Sequence, residues 1–197
     1  MYLETISDAM ATGRVAEIFA QQRERFGKVF STARCMTTRP DLLPAYTDFV
    51  EAVRRGFTLS MREWKLITLV AARYVPSTHC SYVYAQQLVD DLGSKEAVIA
   101  VQRDFRRAGL PVKDVEMLTY AEKVVRAPQT IERVDIERLR RAGFEDRQIM
   151  DIALCAAFRC FIGRFFDAVG AEPAPEFIDP DPSFRDPLTV GKSYAAE

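Results

Sequence analysis

The stretch SMREWKLITLVAARYVPSTHCSYVYAQQLVDDLG, residues 60–93, decides the architecture. It opens on Ser60-Met-Arg-Glu63, a capping box in which the serine hydroxyl and the glutamate carboxylate each satisfy a backbone N–H that the first helical turn leaves over. From Leu66 to Ala72 the sequence is nearly all apolar, so the helix opened at Ser60 belongs in the middle of a core. Pro76-Ser77 interrupts it, and a second helix runs to about Leu92, with Gly93 as its C-terminal stop.

The same punctuation recurs outward in both directions. Residues 12–26 start at Thr12 and carry Val15, Ile18, Phe19 and Phe26 at helical spacing, and residues 40–55 run from Pro40 to a stop at Gly56. Lys95–Arg107, Val112–Arg126 and Ile131–Ala142 follow, separated by Gly109-Leu-Pro111, Pro128 and Gly143. A long last helix spans Glu145 to Val169 and ends at Gly170, its run Ile152–Phe158 covered on most sides. The chain has no asparagine and no Asp-Gly pair, so the strongest hairpin signals are absent. Beyond Glu172, Pro173, Pro175, Pro180, Pro182 and Pro187 predict an extended segment. The expectation is an all-α bundle of about eight helices: a helical domain over residues 1–172 and an extended Pro-rich tail over 173–197.

Composition narrows the function. Lys and Arg number 27 against 28 Asp and Glu, for a net charge of −1, which gives nucleic acid no support as a partner. The helix-turn-helix look of Arg140–Ile149 is weak for the same reason. Cys35, Cys80, Cys155 and Cys160 are too few for a disulfide scaffold, and MYLETISDAM lacks the marks of a secretory signal. Arg159 and Arg164 break the longest apolar stretch, Ile152 to Phe166, so no membrane partner is expected. A reduced, cytoplasmic setting is the expectation.

Chemistry concentrates at Ser77-Thr-His-Cys80. With Ser77 as N-cap, Cys80 is the third helical residue, where unpaired N–H groups and the helix dipole favour a thiolate. Ser77 and Tyr84 share its helix face, and both hydroxyls can donate to sulfur. His79, the only histidine, points about 100° away. Cys155 and Cys160 diverge by about 140° around one helix and, with Cys35, read as core packing. One histidine and no CxxC give a zinc site no support, and no Gly-rich phosphate loop is present, so no metal or cofactor is expected.

Several segments taken together resemble the AhpD-like alkylhydroperoxidases and the carboxymuconolactone decarboxylases that share their fold. Leu59-Ser-Met-Arg-Glu-Trp-Lys-Leu-Ile-Thr-Leu69 is similar to the family's LSPRE helix, and Tyr120-Ala-Glu-Lys123, Arg141-Ala-Gly-Phe144 and Ile149 to its YAEKLT…LRAAGF segment. Ile162-Gly-Arg-Phe-Phe-Asp-Ala-Val-Gly-Ala-Glu-Pro173 resembles its closing motif. Phe26-Gly-Lys-Val29 and Arg39-Pro-Asp-Leu-Leu43 fit the peroxidase-related branch, so the likeness covers about residues 12–173. The family's CxxC falls on Ser77-Thr-His-Cys80, with Cys80 in place of the second cysteine and Ser77 in place of the first. Lys65 stands where the family has a glutamate, fifteen residues before that cysteine, and Tyr84 where it has a histidine four residues after it.

The candidate site is therefore Cys80 with Lys65, Tyr84, Ser77 and His79. The resemblance implies a peroxidase in which Cys80 is oxidised and, with no thiol at position 77, an external thiol reduces it. A lysine ammonium near the sulfur would lower its pKa. Two alternatives stand beside it. One is a catalytically degenerate oligomeric binding protein; the other is a decarboxylase-like enzyme holding a small carboxylate on Lys65. The resemblance further implies a homo-oligomer, a dimer, trimer or hexamer, with the last helix and the tail against a neighbour.

Overall fold

A computed structural model describes residues 1–194, and among them there are ten α-helices, four short 3-10 turns and no strand. The helices are α1 (Gly13–Phe26), α2 (Ser31–Arg34), α3 (Leu42–Gly56), α4 (Met61–Tyr74), α5 (Thr78–Leu92), α6 (Lys95–Asp104), α7 (Val112–Arg126), α8 (Arg133–Arg141), α9 (Asp146–Val169) and α10 (Pro182–Leu188). They fall into two compact units, one of residues 1–57 with 165–174, the other of residues 58–164 with the chain from Pro175 onward.

In the first unit α1 buries Val15, Ile18 and Phe19, and the Arg34 guanidinium stands 5.2 Å from the Phe19 ring centroid. Phe26, expected on the apolar face, is exposed and meets Phe30 at 5.2 Å instead, because the chain turns away at Gly27, whose φ of 73° ends the helix. Helix α3 begins at Leu42, two residues later than expected. Asp41 takes the N-cap place, and Pro40 stays outside.

The second unit is organised by α4. The Ser60–Glu63 capping box is present in both directions, with the Ser60 N–H donating to Glu63 at 2.8 Å. Trp64, Leu66, Ile67, Leu69, Val70, Ala71 and Ala72 are buried as α4 packs on α5, α6 and α7. Each of the larger side chains contributes about 2 kcal/mol by leaving water. Helix α5 stops at Gly93, whose φ of 83° lies in the left-handed region, and Ser94 at once caps α6 through the Ala97 N–H at 3.1 Å. Glu122 of α7 is buried and accepts hydrogen bonds from Arg106, from Arg126 (2.9 Å) and from the Tyr74 hydroxyl, tying α7 to α4 and to the turn after α6.

The C-terminal segment corrects the sequence expectation. It is not extended throughout: Pro175–Phe177 forms a 3-10 turn and Pro182–Leu188 forms α10. Asp181 caps that helix by accepting from the Ser183 N–H at 2.9 Å, and Pro182 occupies the first helical position, where a missing N–H costs nothing. Phe184 and Leu188 are buried as α10 packs against α5 and α6. Asp179 accepts from Gln86 (2.8 Å) and Lys95 (2.7 Å). The Gly191 N–H donates to the Thr78 hydroxyl oxygen at 2.9 Å, and the hydroxyls of Tyr82 and Thr189 lie 2.6 Å apart. The division expected at residue 172 therefore gives way to a segment that belongs to the second unit.

Phe184→Ala is expected to cost about 3 kcal/mol in urea unfolding, and Gly191→Ala, whose Cβ would lie 2.0 Å from the Pro76 carbonyl oxygen, to destabilise as well. A segment that only trailed from the domain would tolerate both. Burial alone would raise the pKa of Glu122, but its hydrogen bonds from Tyr74, Arg106 and Arg126 prevail and hold it below the usual carboxylate range. Its contribution to stability is therefore complete above the unfolded-state pKa and is lost as pH falls through the lowered native value. Glu122→Gln is expected to cost about 2 kcal/mol at pH 7 and to flatten the acid limb of the stability profile.

Candidate functional site

Helix α5 starts where the sequence places it. Ser77 is the N-cap (φ −98°, ψ 97°), Thr78 the first helical residue, and Cys80 the third. Ser77, His79, Cys80, Ser81 and Tyr84 are all buried. The Ser77 side chain makes no capping bond to the helix, and neither its hydroxyl oxygen nor that of Ser81 has a hydrogen-bond partner in the protein. A buried hydroxyl left so costs about 1–3 kcal/mol. Two of them one turn apart, with the cysteine between, concentrate unspent polarity at the start of α5. Ser77 is pressed against α9: a Cβ on Gly163 would stand 3.2 Å from the Ser77 Cβ and 2.8 Å from a Val75 methyl group.

Of the five sequence candidates, four lie together in the first two turns of α5. The fifth, Lys65 on α4, has its ammonium committed elsewhere. It pairs with Asp91 and donates to the Gln87 carbonyl at 3.2 Å. Those groups lie about two and three helical turns beyond Cys80, so the lysine head is drawn along α5 toward its C-terminal half.

The cation that the sequence reading missed is Arg159 of α9. It is buried, with 6% of its surface exposed, and its guanidinium carbon lies 4.8 Å from the Trp64 ring centroid and 4.9 Å from that of Tyr84. One charged group thus joins α4, α5 and α9 through two aromatic faces, in an arrangement worth about 2 kcal/mol when desolvated. The signal was visible as an arginine directly after Ile152–Phe158, the most apolar part of the helix, a charge that a core helix does not carry without a partner.

None of the four cysteines forms a disulfide. Cys35 and Cys155 are buried, as core packing requires, whereas Cys160 is only half-buried. Burial pushes the Cys35 thiol up to about 11, which keeps it inert at neutral pH. Among the described residues no cluster of three metal-ligating side chains occurs, and no helix is long and apolar enough to cross a membrane.

This architecture is AhpD-like: the chain has the all-α fold of the alkylhydroperoxidase AhpD core. A peroxidase-related protein with that core from Ralstonia eutropha JMP134 superposes with a TM-score of 0.82 at 22% identity, over 89% of this chain and 93% of that one. A peroxidase-related protein from Silicibacter sp. TM1040 gives 0.76 at 25% identity, over 88% and 93%. The debrominase Bmp8 gives 0.74 at 14% identity, over 93% and 96%, and its cysteine-to-alanine variant has been solved with 2,3,4-tribromopyrrole. No protein-family model and no curated protein sequence matches the chain.

Trp64 is the only tryptophan in the chain, so its fluorescence reports the Arg159 contact directly. Arg159→Met, which keeps volume and removes charge, is expected to shift the emission and to lower stability by about 1–2 kcal/mol. It should also raise the pH at which Cys80 is alkylated by more than Lys65→Ala does, since the Lys65 charge is already neutralised by Asp91.

Proposed function

We propose that this chain is a one-cysteine, thiol-dependent peroxidase of the AhpD-like fold, with Cys80 as the nucleophile. The observation that carries the reading is the placement of Cys80 at the third residue of α5, flanked by the buried hydroxyls of Ser77 and Ser81 that have no partner in the protein. The helix start stabilises the thiolate. Thiolate sulfur attacks the terminal oxygen of ROOH; an S–O bond forms, the O–O bond breaks, and RO⁻ leaves to take a proton as ROH. Sulfur is oxidised by two electrons to the sulfenic acid and the peroxide is reduced by two. The hydroxyls of Ser77 and Tyr84, on the same helix face as Cys80, would donate to the thiolate and to the departing oxygen.

Ser77 cannot condense with a sulfenic acid to make a disulfide. An external thiol attacks Cys80 sulfur instead, releasing water and leaving a mixed disulfide. A second thiol then restores the cysteine and carries away the external disulfide.

A second reading rests on the fold shared with Bmp8, a debrominase, and on Arg159, which joins the rings of Trp64 and Tyr84, the latter one helical turn beyond Cys80. There the thiolate would take the halogen, the ring carbon would gain a proton, and the same external thiol would release halide.

With dithiothreitol as donor, the wild-type chain is expected to consume cumene hydroperoxide and to form a dimedone adduct at Cys80. Cys80→Ser should abolish both, and Tyr84→Phe should lower kcat/KM roughly tenfold through the lost hydrogen bond. Activity that survives Cys80→Ser, or dimedone that never labels Cys80, overturns the peroxidase. Bromide release from 2,3,4-tribromopyrrole without peroxide turnover favours the second reading.

A further inference from the structure

The segment Tyr120-Ala-Glu-Lys123 plays no part in the chemistry at Cys80, yet its Glu122 and Lys123 help to line a cavity of about 490 Å³ on α7. Arg106, Thr119, Glu122, Lys123, Arg126 and Ala127 line it. A ligand basin of this volume is of small-molecule size.

Its charge does not balance. Three cationic side chains and one carboxylate face the cavity. Arg106 and Arg126 both pair with the same buried acid, one on each oxygen of Glu122. A guanidinium carries five N–H donors, and a single carboxylate cannot occupy two such groups. Lys123 is oriented by Asp135 at 2.6 Å, which lies outside the lining.

Both arginines are held by their faces. The Arg126 guanidinium stacks 4.8 Å from the Tyr74 ring centroid, and that of Arg106 lies 4.3 Å from the Phe105 ring centroid. Stacking fixes the planes without consuming N–H groups, so the remaining edge donors stay available. A network whose only task was to fasten α7 would need one arginine for Glu122. The second arginine and the Thr119 hydroxyl are a surplus of donors around a hollow, and the Lys123 ammonium keeps donors beyond the one given to Asp135.

We propose that this cavity binds a doubly charged oxyanion, a phosphate monoester or inorganic phosphate, across Arg106, Arg126, Lys123 and Thr119, with Glu122 holding the two arginines in register. With Asp135 set against Lys123 and Glu122 against the two arginines, one positive charge is left over, and phosphate oxygens accept from both guanidinium forks as well as from the ammonium and the hydroxyl. A monocarboxylate, with two oxygens, would leave part of that donor set unanswered. The site lies on α7 and the turn after α6, so its occupant does not depend on the reading of Cys80.

Isothermal titration calorimetry with inorganic phosphate and with acetate, at constant ionic strength, tests the assignment on the wild type, Arg126→Gln, Arg126→Lys and Cys80→Ser. The expected result is saturable phosphate binding that weakens about tenfold in Arg126→Gln (about 1.4 kcal/mol) and less in Arg126→Lys, with acetate at least tenfold weaker and Cys80→Ser unchanged. Absence of saturable binding up to roughly 10 mM phosphate, about ten times a 1 mM Kd, overturns the proposal. So does binding indifferent to Arg126→Gln, or acetate binding as tightly as phosphate. Thr119→Val supplies the same comparison if Arg126→Gln fails to fold.

Discussion

The three-residue turn Val75-Pro-Ser77 is gripped on two sides where glycines let neighbouring chain come close, and the candidate site depends on that grip. At Gly163 of α9 a Cβ would collide with Val75 and press on Ser77; at Gly191 it would lie 2.0 Å from the Pro76 carbonyl oxygen. At Gly191 backbone meets backbone, and at Gly163 the neighbours are a short, branched valine and a serine, which have little freedom to absorb an error. The direction in which α5 leaves the turn is set by these contacts, and the first-turn N–H groups around Cys80 are aimed by them. On the opposite face of α5 the Thr78 and Tyr82 hydroxyls bind Gly191 and Thr189, so the helix is held from behind while its cysteine face looks toward Tyr84 and Ser77.

Electrostatics within the second unit follows a consistent division. Cations that could reach Cys80 by sequence spacing are neutralised elsewhere, as Lys65 is by Asp91. The buried cation is Arg159, and rings hold it. A guanidinium survives desolvation better than an ammonium because its charge is delocalised and its faces stack. That makes arginine the suitable choice between buried rings: it carries positive charge without the proton chemistry of a lysine, whose pKa falls on burial.

How much of this was legible depends on the range of each interaction. The capping box at Ser60, the apolar run of α4, the stop at Gly93 and the N-cap role of Ser77 are local, and each was readable from a few adjacent residues. The helix in the C-terminal segment was not. Five prolines argue against regular structure on average, while Asp181-Pro182 in that order is a helix start, and only the burial of Phe184 and Leu188 against α5 and α6 makes a short helix worth forming. Lys65 and Arg159 were misjudged for a related reason. Their partners lie on other helices, and nothing in linear spacing says whether an ammonium will meet Asp91 or a cysteine first. The family likeness pointed to positions 65, 77, 80 and 84 but could not say what the side chains there would meet.

The exchange of a thiol for a hydroxyl at position 77 is a chemical change more than a steric one. A Cβ on Gly163 would stand 3.6 Å from the Ser77 hydroxyl oxygen, and because Gly163 has none, the space beside that oxygen is left for a larger atom. Serine there can donate a hydrogen bond to a thiolate, which stabilises the anion, but it cannot lend electrons to a sulfenic acid. In the proposed peroxidase chemistry, activation of Cys80 would come from the fold and the reducing step from outside it. The two buried hydroxyls without a partner beside the cysteine are the polarity on which that activation would draw.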